Sequence, residues 1–284
     1  MTDKTITFML DGREVEAMPG ETIWQVAKRL GTTIPHLCWH PEPGYRADGN
    51  CRACMVEVEG ERVLAASCQR RPAPGMKVKT ASERAKKSRD MVFELLLADQ
   101  PKKSDCHDPN SKFWAWVDAM GIAPTSRLPK GEKPAPDLTH ASISVNLDAC
   151  INCGLCVRAC REVQMNDVIG MAYRGHGTKV VFDFDKGMGQ STCVACGECV
   201  QACPTGALME ANLLDKATQK RVGFAGAPDR VTAYLVMSVD NEGRYKVKGE
   251  YGENLNDDSG SPWEGVKQKN AEPKEDGCKL EEGD

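Results

Sequence analysis

The fold of this chain is decided by two cysteine runs, Cys150-Ile-Asn-Cys153-Gly-Leu-Cys156-Val-Arg-Ala-Cys160 and Cys193-Val-Ala-Cys196-Gly-Glu-Cys199-Val-Gln-Ala-Cys203-Pro204. Each run has the spacing C-x2-C-x2-C-x3-C, and the second ends in Cys-Pro. Cysteines at this spacing typically hold cubane iron–sulfur clusters. The two runs therefore predict two [4Fe-4S] clusters and indicate a protein that transfers electrons.

The double run resembles the two-cluster bacterial ferredoxins. In that fold three closely spaced thiolates bind one cubane, and the fourth cysteine of the same run ligates the other. The resemblance implies a first cubane and a second cubane with crossed ligands. The first would take Cys150, Cys153, Cys156 and Cys203, and the second would take Cys193, Cys196, Cys199 and Cys160. Zinc ribbons are the alternative, but they usually pair two Cys-x2-Cys knuckles.

The first 80 residues have the pattern of a small β-rich domain. Residues 5–10 and 13–17 predict a hairpin around Asp-Gly. Thr22 is a candidate N-cap for a helix whose apolar face repeats at helical spacing. Residues 55–59 and 62–65 predict a second hairpin, and residues 75–80 a last strand. Hairpin, helix, hairpin and strand follow the order of a β-grasp ferredoxin.

Four further cysteines lie on this predicted domain, at the spacing C-x12-C-x2-C-x13-C: Cys38, Cys51, Cys54 and Cys68. Two irons bridged by two sulfides need four thiolates, so the set predicts a [2Fe-2S] cluster. Gly44 and Gly49 would let the preceding loop approach the cluster and donate N–H groups to its sulfurs. The first interval is longer than in plant ferredoxins. A zinc site is the alternative for this set.

Composition limits the class of protein. The chain has 284 residues, 40% of them hydrophobic, and a formal net charge of -4. The acidic balance argues against nucleic acid as the main partner, and no apolar run is long enough to predict insertion in a membrane. Twelve of the 14 cysteines lie in cluster-type spacings and no export signal is visible, so reduced thiols in the cytoplasm are expected instead of disulfides.

Residues 82–98 predict a helix capped by Ser82, with Ala85, Val92, Leu95 and Leu96 on its apolar face and the basic stretch 84–89 in solvent. The order of [2Fe-2S] domain, helix and two-cubane domain resembles the N-terminal region of NAD-linked formate dehydrogenase catalytic subunits. It is also similar to the iron–sulfur subunit of NAD-reducing hydrogenases and to the large iron–sulfur subunit of respiratory complex I. The fold class expected is therefore α+β, a β-grasp [2Fe-2S] domain followed by a helical linker and a two-[4Fe-4S] domain.

One stretch departs from that family pattern. Family members commonly follow the helix with a histidine and three cysteines that bind one more cubane. Here Gln100 stands about where the histidine is expected, and Cys106 is the one thiol that remains. Four ligands are needed, so we predict that this cluster is absent, that Cys106 is a lone thiol and that His107 is a surface histidine.

The expected organisation has four parts. Residues 1–80 form the [2Fe-2S] domain, residues 81–140 a helix and linker, residues 141–213 the two-cubane domain, and residues 214–284 a hairpin and a polar, partly disordered tail with a free thiol at Cys278. The tail is polar and acidic from residue 249 onward, which is the composition of disordered segments.

The resemblance implies a non-catalytic electron-transfer subunit of a cytoplasmic NAD-linked dehydrogenase complex. The formate dehydrogenase interpretation is favoured, with a molybdopterin-type catalytic subunit and a flavin- and NAD-binding subunit as partners. The alternatives are the equivalent subunit of an NAD-reducing nickel–iron hydrogenase and, from another class, a scaffold protein with structural metal only. No catalytic residues are expected in this chain, since no nucleotide-binding GxGxxG motif opens a helix after a strand.

Overall fold

The computed structural model describes residues 5–124 and 134–215, residue 217, and strand residues 220–221, 236–239 and 245–248. The predicted free thiol Cys278 and the predicted polar tail from residue 249 lie outside these described residues. Among the described residues, no helix is both long enough and apolar enough to cross a membrane.

A five-stranded mixed sheet forms the N-terminal part, in the order β2-β1-β5-β3-β4. Strand β1 pairs antiparallel with β2, which confirms the predicted first hairpin, and parallel with the last strand β5. The second hairpin differs from the prediction, because β3 pairs with residues 65–66 instead of 62–65. The strands are β1 (Ile6–Leu10), β2 (Arg13–Ala17), β3 (Met55–Val58), β4 (Ala65–Ala66) and β5 (Lys77–Lys79).

Helix α1 (Ile23–Arg29) covers one face of this sheet. Thr22 caps it as predicted, since its hydroxyl accepts from the Gln25 backbone and the Gln25 side chain accepts from the Thr22 backbone. Such a reciprocal cap satisfies two N–H groups that a helix start would otherwise leave unpaired. The Trp24 indole donates to the Ile34 carbonyl at 2.9 Å, and this bond fixes the chain that leads from α1 to Cys38.

Helix α2 (Glu83–Ala98) begins at the predicted cap, Ser82. Its buried face differs from the prediction: Ala85, Arg89, Phe93 and Leu97 are buried, and Leu95 is 51% exposed. Residues at i and i+4 share one helix face, so the stripe 85, 89, 93, 97 carries a basic residue inward. The Arg89 guanidinium lies 3.5 Å from the carbonyl of Met55 in β3.

Helix α3 (Lys112–Met120) starts at the N-cap Ser111 and ends at Gly121, which has a left-handed backbone with φ of 64°. Its aromatic residues Phe113, Trp114 and Trp116 are buried. They form a second core between α2, α3 and the loop around Cys51, separate from the core of the sheet and the cubane region. The buried members of this second core are Leu37, Ala53, Phe93, Leu97, Cys106, Phe113, Trp114, Trp116 and Val117.

The region of the two cysteine runs is built from two small antiparallel ribbons and two short helices. Strands β6 (Ile143–Val145) and β9 (Leu208–Glu210) bring the start and the end of the region together. The segment between the runs forms an antiparallel hairpin, β7 (Ile169–Ala172) with β8 (Lys179–Phe182). Each run contains a short helix: α4 (Leu155–Arg158) lies in the first run and α5 (Glu198–Ala202) in the second.

The C-terminal strands form two further ribbons. Strand β10 (Leu214–Asp215) pairs with β11 (Lys220–Arg221), and β12 (Val236–Val239) pairs antiparallel with β13 (Tyr245–Lys248). The second pair lies within the region where the sequence predicts a terminal hairpin.

Candidate functional site

The four N-terminal cysteines are gathered at one end of the five-stranded sheet. Cys38, Cys54 and Cys68 are buried, and Cys51 is half-buried. The thiols of Cys51 and Cys68 hydrogen-bond to the Cys38 sulfur, and these bonds lower the pKa of Cys38 to about 2. A hydrogen bond from Cys68 likewise lowers the pKa of Cys54 to about 7. The same bonds raise the pKa of the donor thiols Cys51 and Cys68, so the set is one group of mutually contacting sulfurs in which Cys38 and Cys54 favour the thiolate.

Backbone amides support this group. The N–H groups of Asn50 and Cys51 hydrogen-bond to the Cys38 sulfur, and the Ala53 N–H donates to the Cys51 sulfur at 3.5 Å. The loop turns here through Gly49, whose φ is 63°. Amides aimed at sulfur are the outer-shell contacts that stabilise bound thiolates.

A first cavity is lined by the sulfur-bearing residues Cys150, Cys153, Cys156 and Cys203. Its empty space, with the open mouth included, is about 370 Å³. The remaining lining is mostly apolar, from Leu147, Ile151, Val180, Ala207 and Leu208. Burial raises the pKa of the Cys153 and Cys156 thiols, because an apolar pocket disfavours the charged thiolate.

A second cavity is lined by the other four cysteines of the two runs, Cys160, Cys193, Cys196 and Cys199. Its empty space is about 300 Å³. Cys196 is exposed, whereas Cys160 and Cys199 are buried. Each cavity thus collects three cysteines from one run and the fourth cysteine from the other, which is the crossed grouping that the two-cluster resemblance implies.

Local backbone geometry produces this crossing. Gly154 and Gly197 have φ of 72° and 79°, a region where glycine is favoured, and each closes a tight loop around its own three cysteines. After α4 the chain makes a π-turn over Ala159–Val163. The turn carries Cys160 toward the second run. Its sulfur accepts from the N–H of Val168, in the segment between the two runs, at 3.3 Å.

The donor chemistry fits iron–sulfur clusters. Each of the two cavities is lined by four cysteines, and neither lining contains a carboxylate or an imidazole. Among the described residues, no three His, Cys, Asp or Glu side chains converge on a position for a single metal ion. Four cysteine thiolates for each cluster are the donor set that [2Fe-2S] and [4Fe-4S] clusters use.

The N-terminal domain and the cubane region meet directly at their cysteines. Arg158 of α4 is 4% exposed, donates to the Cys38 carbonyl at 2.5 Å and pairs with Asp48. The Asn50 amide donates to the Cys153 carbonyl at 3.2 Å. These contacts hold the first cavity beside the N-terminal cysteines.

Two further contacts join the same loop to the second run and to the turn that follows the first run. The Tyr45 hydroxyl donates to Glu198 at 2.7 Å, and Arg46 pairs with Glu162 at 2.9 Å. The Tyr45 residue is 9% exposed, so this hydroxyl is held at a largely dry interface. Loop 44–50 is therefore fastened to both cysteine runs.

The stretch where the family carries its extra cubane is packed as ordinary core. Gln100 is buried and its amide donates to the Ala149 carbonyl at 3.2 Å. Cys106 is buried, and burial raises its pKa to about 11. His107 is 1% exposed, so the prediction of a surface histidine is wrong. One thiol and one imidazole do not supply four ligands.

The segment that contains Asp108 contacts the cubane region closely at Gly206. A Cβ at Gly206 would lie 2.5 Å from the Cβ of Asp108, a distance that side chains do not tolerate. Close approach at this point explains why the chain around His107 is buried although its sequence is polar.

Sequence reasoning missed the buried Arg158 and the half-buried Lys112. Lys112 begins α3, and its ammonium lies 2.6 Å from the Nε2 of His36. Burial lowers the pKa of Lys112 to about 7, partly offset by the nearby sulfurs of Cys51, Cys153 and Cys38. No local pattern marks either residue, since lysine and arginine are usually solvated.

Comparisons with known families identify both cysteine domains. Residues 3–83 match the 2Fe-2S iron-sulfur cluster binding domain, and residues 149–207 match the 4Fe-4S dicluster domain. The chain therefore contains a [2Fe-2S] unit followed by a two-[4Fe-4S] unit of mixed α and β structure, and its cofactors are one [2Fe-2S] and two [4Fe-4S] clusters.

The curated relatives are much longer than this chain. The chain is 36% identical over 214 residues to the NADP-reducing hydrogenase subunit HndD of Solidesulfovibrio fructosivorans, a match covering 72% of this chain and 36% of the relative. It is 31% identical over 180 residues to the mitochondrial NADH dehydrogenase (ubiquinone) iron-sulfur protein 1 of Solanum tuberosum, covering 63% of this chain and 24% of that protein. The chain thus spans about a third or less of the length of these two relatives.

One chain of a solved structure matches this protein over nearly the whole length of that chain. It is a chain of an NAD+-reducing [NiFe]-hydrogenase in the H2-reduced state, with 30% identity and a TM-score of 0.65, and the match covers 78% of this chain and 90% of the other. On these similarities, the chain belongs to the family of iron–sulfur electron-transfer subunits of NAD(P)-linked hydrogenases and complex I-type complexes.

Proposed function

We propose that the three cysteine sets are the cluster ligands. Cys38, Cys51, Cys54 and Cys68 would hold the [2Fe-2S] cluster on a β-grasp scaffold. Cys150, Cys153, Cys156 and Cys203 would hold the first cubane, and Cys193, Cys196, Cys199 and Cys160 the second. The two cavities and the mutually bonded N-terminal thiols support this assignment. When bound, the clusters supply reversible one-electron chemistry.

The function proposed for the chain is an electron relay in an NAD(P)-linked hydrogenase-type complex. One observation carries this: the three cysteine sets form one contiguous series. Arg158 and Asn50 join the N-terminal set to the first cavity, and the crossed cysteines join the first cavity to the second. The residues of the chain hold and insulate this series, because apolar side chains line both cavities.

The partners follow from the names of the relatives. The solved relative is part of a NAD+-reducing [NiFe]-hydrogenase and another relative is a subunit of an NADP-reducing hydrogenase. We propose a hydrogen-activating catalytic subunit and a flavin- and NAD(P)-binding subunit as the two neighbours. The exposed Cys196 and the exposed Val194 beside it mark the face where the second cubane would meet one of them.

The formate dehydrogenase interpretation, favoured from the sequence, stays a prediction. The relatives described above are hydrogenase and complex I-type proteins, so they give it no support. The molybdopterin-type partner and the cytoplasmic location stay predictions with it. The loss of the family's extra cubane also stays a prediction.

One experiment separates these assignments. The chain is tagged in its native host, its complex is purified without oxygen, and the metals and activities are measured together. A hydrogenase-type complex is expected to contain nickel or iron-only catalytic centres and to reduce NAD+ or NADP+ with hydrogen. Molybdenum or tungsten with formate-dependent reduction would instead establish the formate dehydrogenase. A chain with zinc and no acid-labile sulfide would contradict both.

A further inference from the structure

Lys112 is held beside the first-cubane cysteines by the start of α3. Ser111 caps the helix, and the Phe113 N–H donates to the carbonyl of Pro204 at 2.9 Å. Pro204 directly follows Cys203, a cysteine of the first cavity. The first turn of α3 is therefore fixed against the end of the second run, with Lys112 at that point of attachment.

On its other side Lys112 faces the N-terminal cysteines. Its ammonium donates to the His36 Nε2 at 2.6 Å, and the other ring nitrogen of His36 lies 3.3 Å from the Ile34 carbonyl. This geometry matches a neutral imidazole that accepts from Lys112 and donates to the backbone. His36 precedes Cys38 by two residues, so the bond ties the ammonium to the cysteine-bearing loop.

The charges that act on Lys112 are three cysteine sulfurs and the ammonium of Lys28. The negative groups that act on its ammonium are those of Cys51, Cys153 and Cys38, two from the N-terminal set and one from the first cavity. Within the part of the chain that the structure describes, no carboxylate is paired with it. Burial lowers the pKa of Lys112 to about 7, and nearby negative charge raises the pKa of an ammonium. Bound anionic clusters would therefore keep Lys112 in its charged form.

We propose that Lys112 sets the reduction potentials of the [2Fe-2S] cluster and the first cubane together, by placing one positive charge between their two thiolate sets. The proposal rests on the ligand sets given under the proposed function. Cluster potentials depend on local charge and on hydrogen bonds at sulfur. Each reduction adds one negative charge to a cluster, and a nearby cation in a poorly solvated region stabilises that charge.

The effect of Lys112 on the reduction potential then differs among the three clusters. The second cavity has Cys196 exposed to solvent, whereas the contacts that fix Lys112 go to His36 and, through Phe113, to Pro204 beside the first cavity. Solvent and salt screen charge at an exposed site. Lys112 therefore raises two of the three potentials and leaves the third nearly unchanged.

The test is a redox titration of the full chain with its clusters loaded, followed by electron paramagnetic resonance, with dithionite as the electron source. Lys112→Met removes the charge and keeps an unbranched stem of similar length. Lys112→Arg keeps the charge. The matched control is Lys77→Met, which makes the same change in net charge at an exposed lysine of β5 paired with Glu59.

In Lys112→Met the midpoints of the [2Fe-2S] cluster and the first cubane are expected to move to more negative potential, with the second cubane unmoved. Lys112→Arg is expected to keep both midpoint potentials close to the wild-type values, and Lys77→Met is expected to shift none of the three. Unchanged midpoints in Lys112→Met, or an equal shift of all three, would overturn the proposal. Wild-type chain without three cluster signals would instead overturn the proposed function.

A merely structural role for Lys112 would show itself differently. Lost packing would lower cluster content or melting temperature in both Lys112→Met and Lys112→Arg, without a coherent shift of two midpoints. Cluster content is therefore measured for each variant, and spin-integrated signals are compared per bound iron.

Discussion

The two cysteine runs have the same spacing and different surroundings. After the first cysteine, Ile151 packs against the core formed by α2 and α3, whereas Val194 at the equivalent position is 63% exposed. After the glycine, Leu155 is 2% exposed, whereas Glu198 accepts from Tyr45. Spacing thus makes two similar cavities, and the residues between the cysteines decide where each cavity faces.

A second difference lies at the end of the short helices. Arg158 of the first run is buried in the junction with the N-terminal domain, and Gln201 at the equivalent position of the second run is exposed. The first run is therefore the inner member of the pair, and the second faces outward through Cys196. A relay needs both kinds of site, one for contact within the chain and one for contact with a partner.

The largest effect is expected from the cysteines that cross between the runs. Cys160→Ser should remove the second cubane and Cys203→Ser the first, because each cavity loses one of its four sulfurs. Iron should fall by about four from a total of about ten per chain, measured by iron and acid-labile sulfide analysis. Loss of the first cubane in Cys160→Ser would break the crossed assignment.

Limited oxidation should remove the two cubanes in order. The second cubane is expected to be lost first on titration with ferricyanide, because Cys196 is the exposed member of the twelve proposed ligands and access governs cysteine oxidation. Paramagnetic resonance of re-reduced samples reports which signal disappears. Simultaneous loss, or earlier loss of the first cubane, would contradict the inner and outer distinction.

Arg158→Met should weaken the junction. The change removes a buried ion pair with Asp48 and the bond to the Cys38 carbonyl, and bonds to charged groups contribute about 2 kcal/mol. The apparent melting temperature of the loaded chain should fall by about 4–8 °C, measured by circular dichroism. Gln201→Met is the matched control, with an expected change within about 0.5 kcal/mol. Equal falls in melting temperature in the two variants would contradict the distinction between the buried Arg158 and the exposed Gln201.

The smallest effect concerns the residues after the first cysteine of each run. Ile151→Ala should cost about 1–2 kcal/mol, since a half-buried side chain loses part of the roughly 2–5 kcal/mol of a full core truncation. Val194→Ala should stay within about 0.5 kcal/mol at its exposed position. Denaturant unfolding at equal cluster content checks both. A larger loss in Val194→Ala would show that this residue is covered in the isolated chain.

Periodic and capped segments were predictable from the sequence, and the faces of the linker helices were not. Thr22 and Ser82 cap their helices as predicted because capping depends on three neighbouring residues. The buried face of α2 includes Arg89 and leaves Leu95 exposed. The reason is tertiary: α2 packs on both β3 and α3, and that double contact selects a face that hydrophobicity alone does not mark.

By itself the sequence determined that the chain carries two cubane-type cysteine runs and a separate set of four cysteines, because these spacings are typical of iron–sulfur ligands. Gly154 and Gly197 supply the left-handed turns that the tight loops need. The crossed grouping of Cys160 and Cys203 is what the resemblance to two-cluster ferredoxins implies, since spacing alone leaves it open.

Only the tertiary structure decided how the cysteine sets face one another and what charge lies between them. Arg158 and Lys112 are far in sequence from the cysteines of the other domain that they face, and nothing in their neighbours predicts burial. Their roles arise because the N-terminal domain, α3 and the cubane region close over them. Burial of a charge is a property of all the surfaces around it, and a linear pattern does not contain those surfaces.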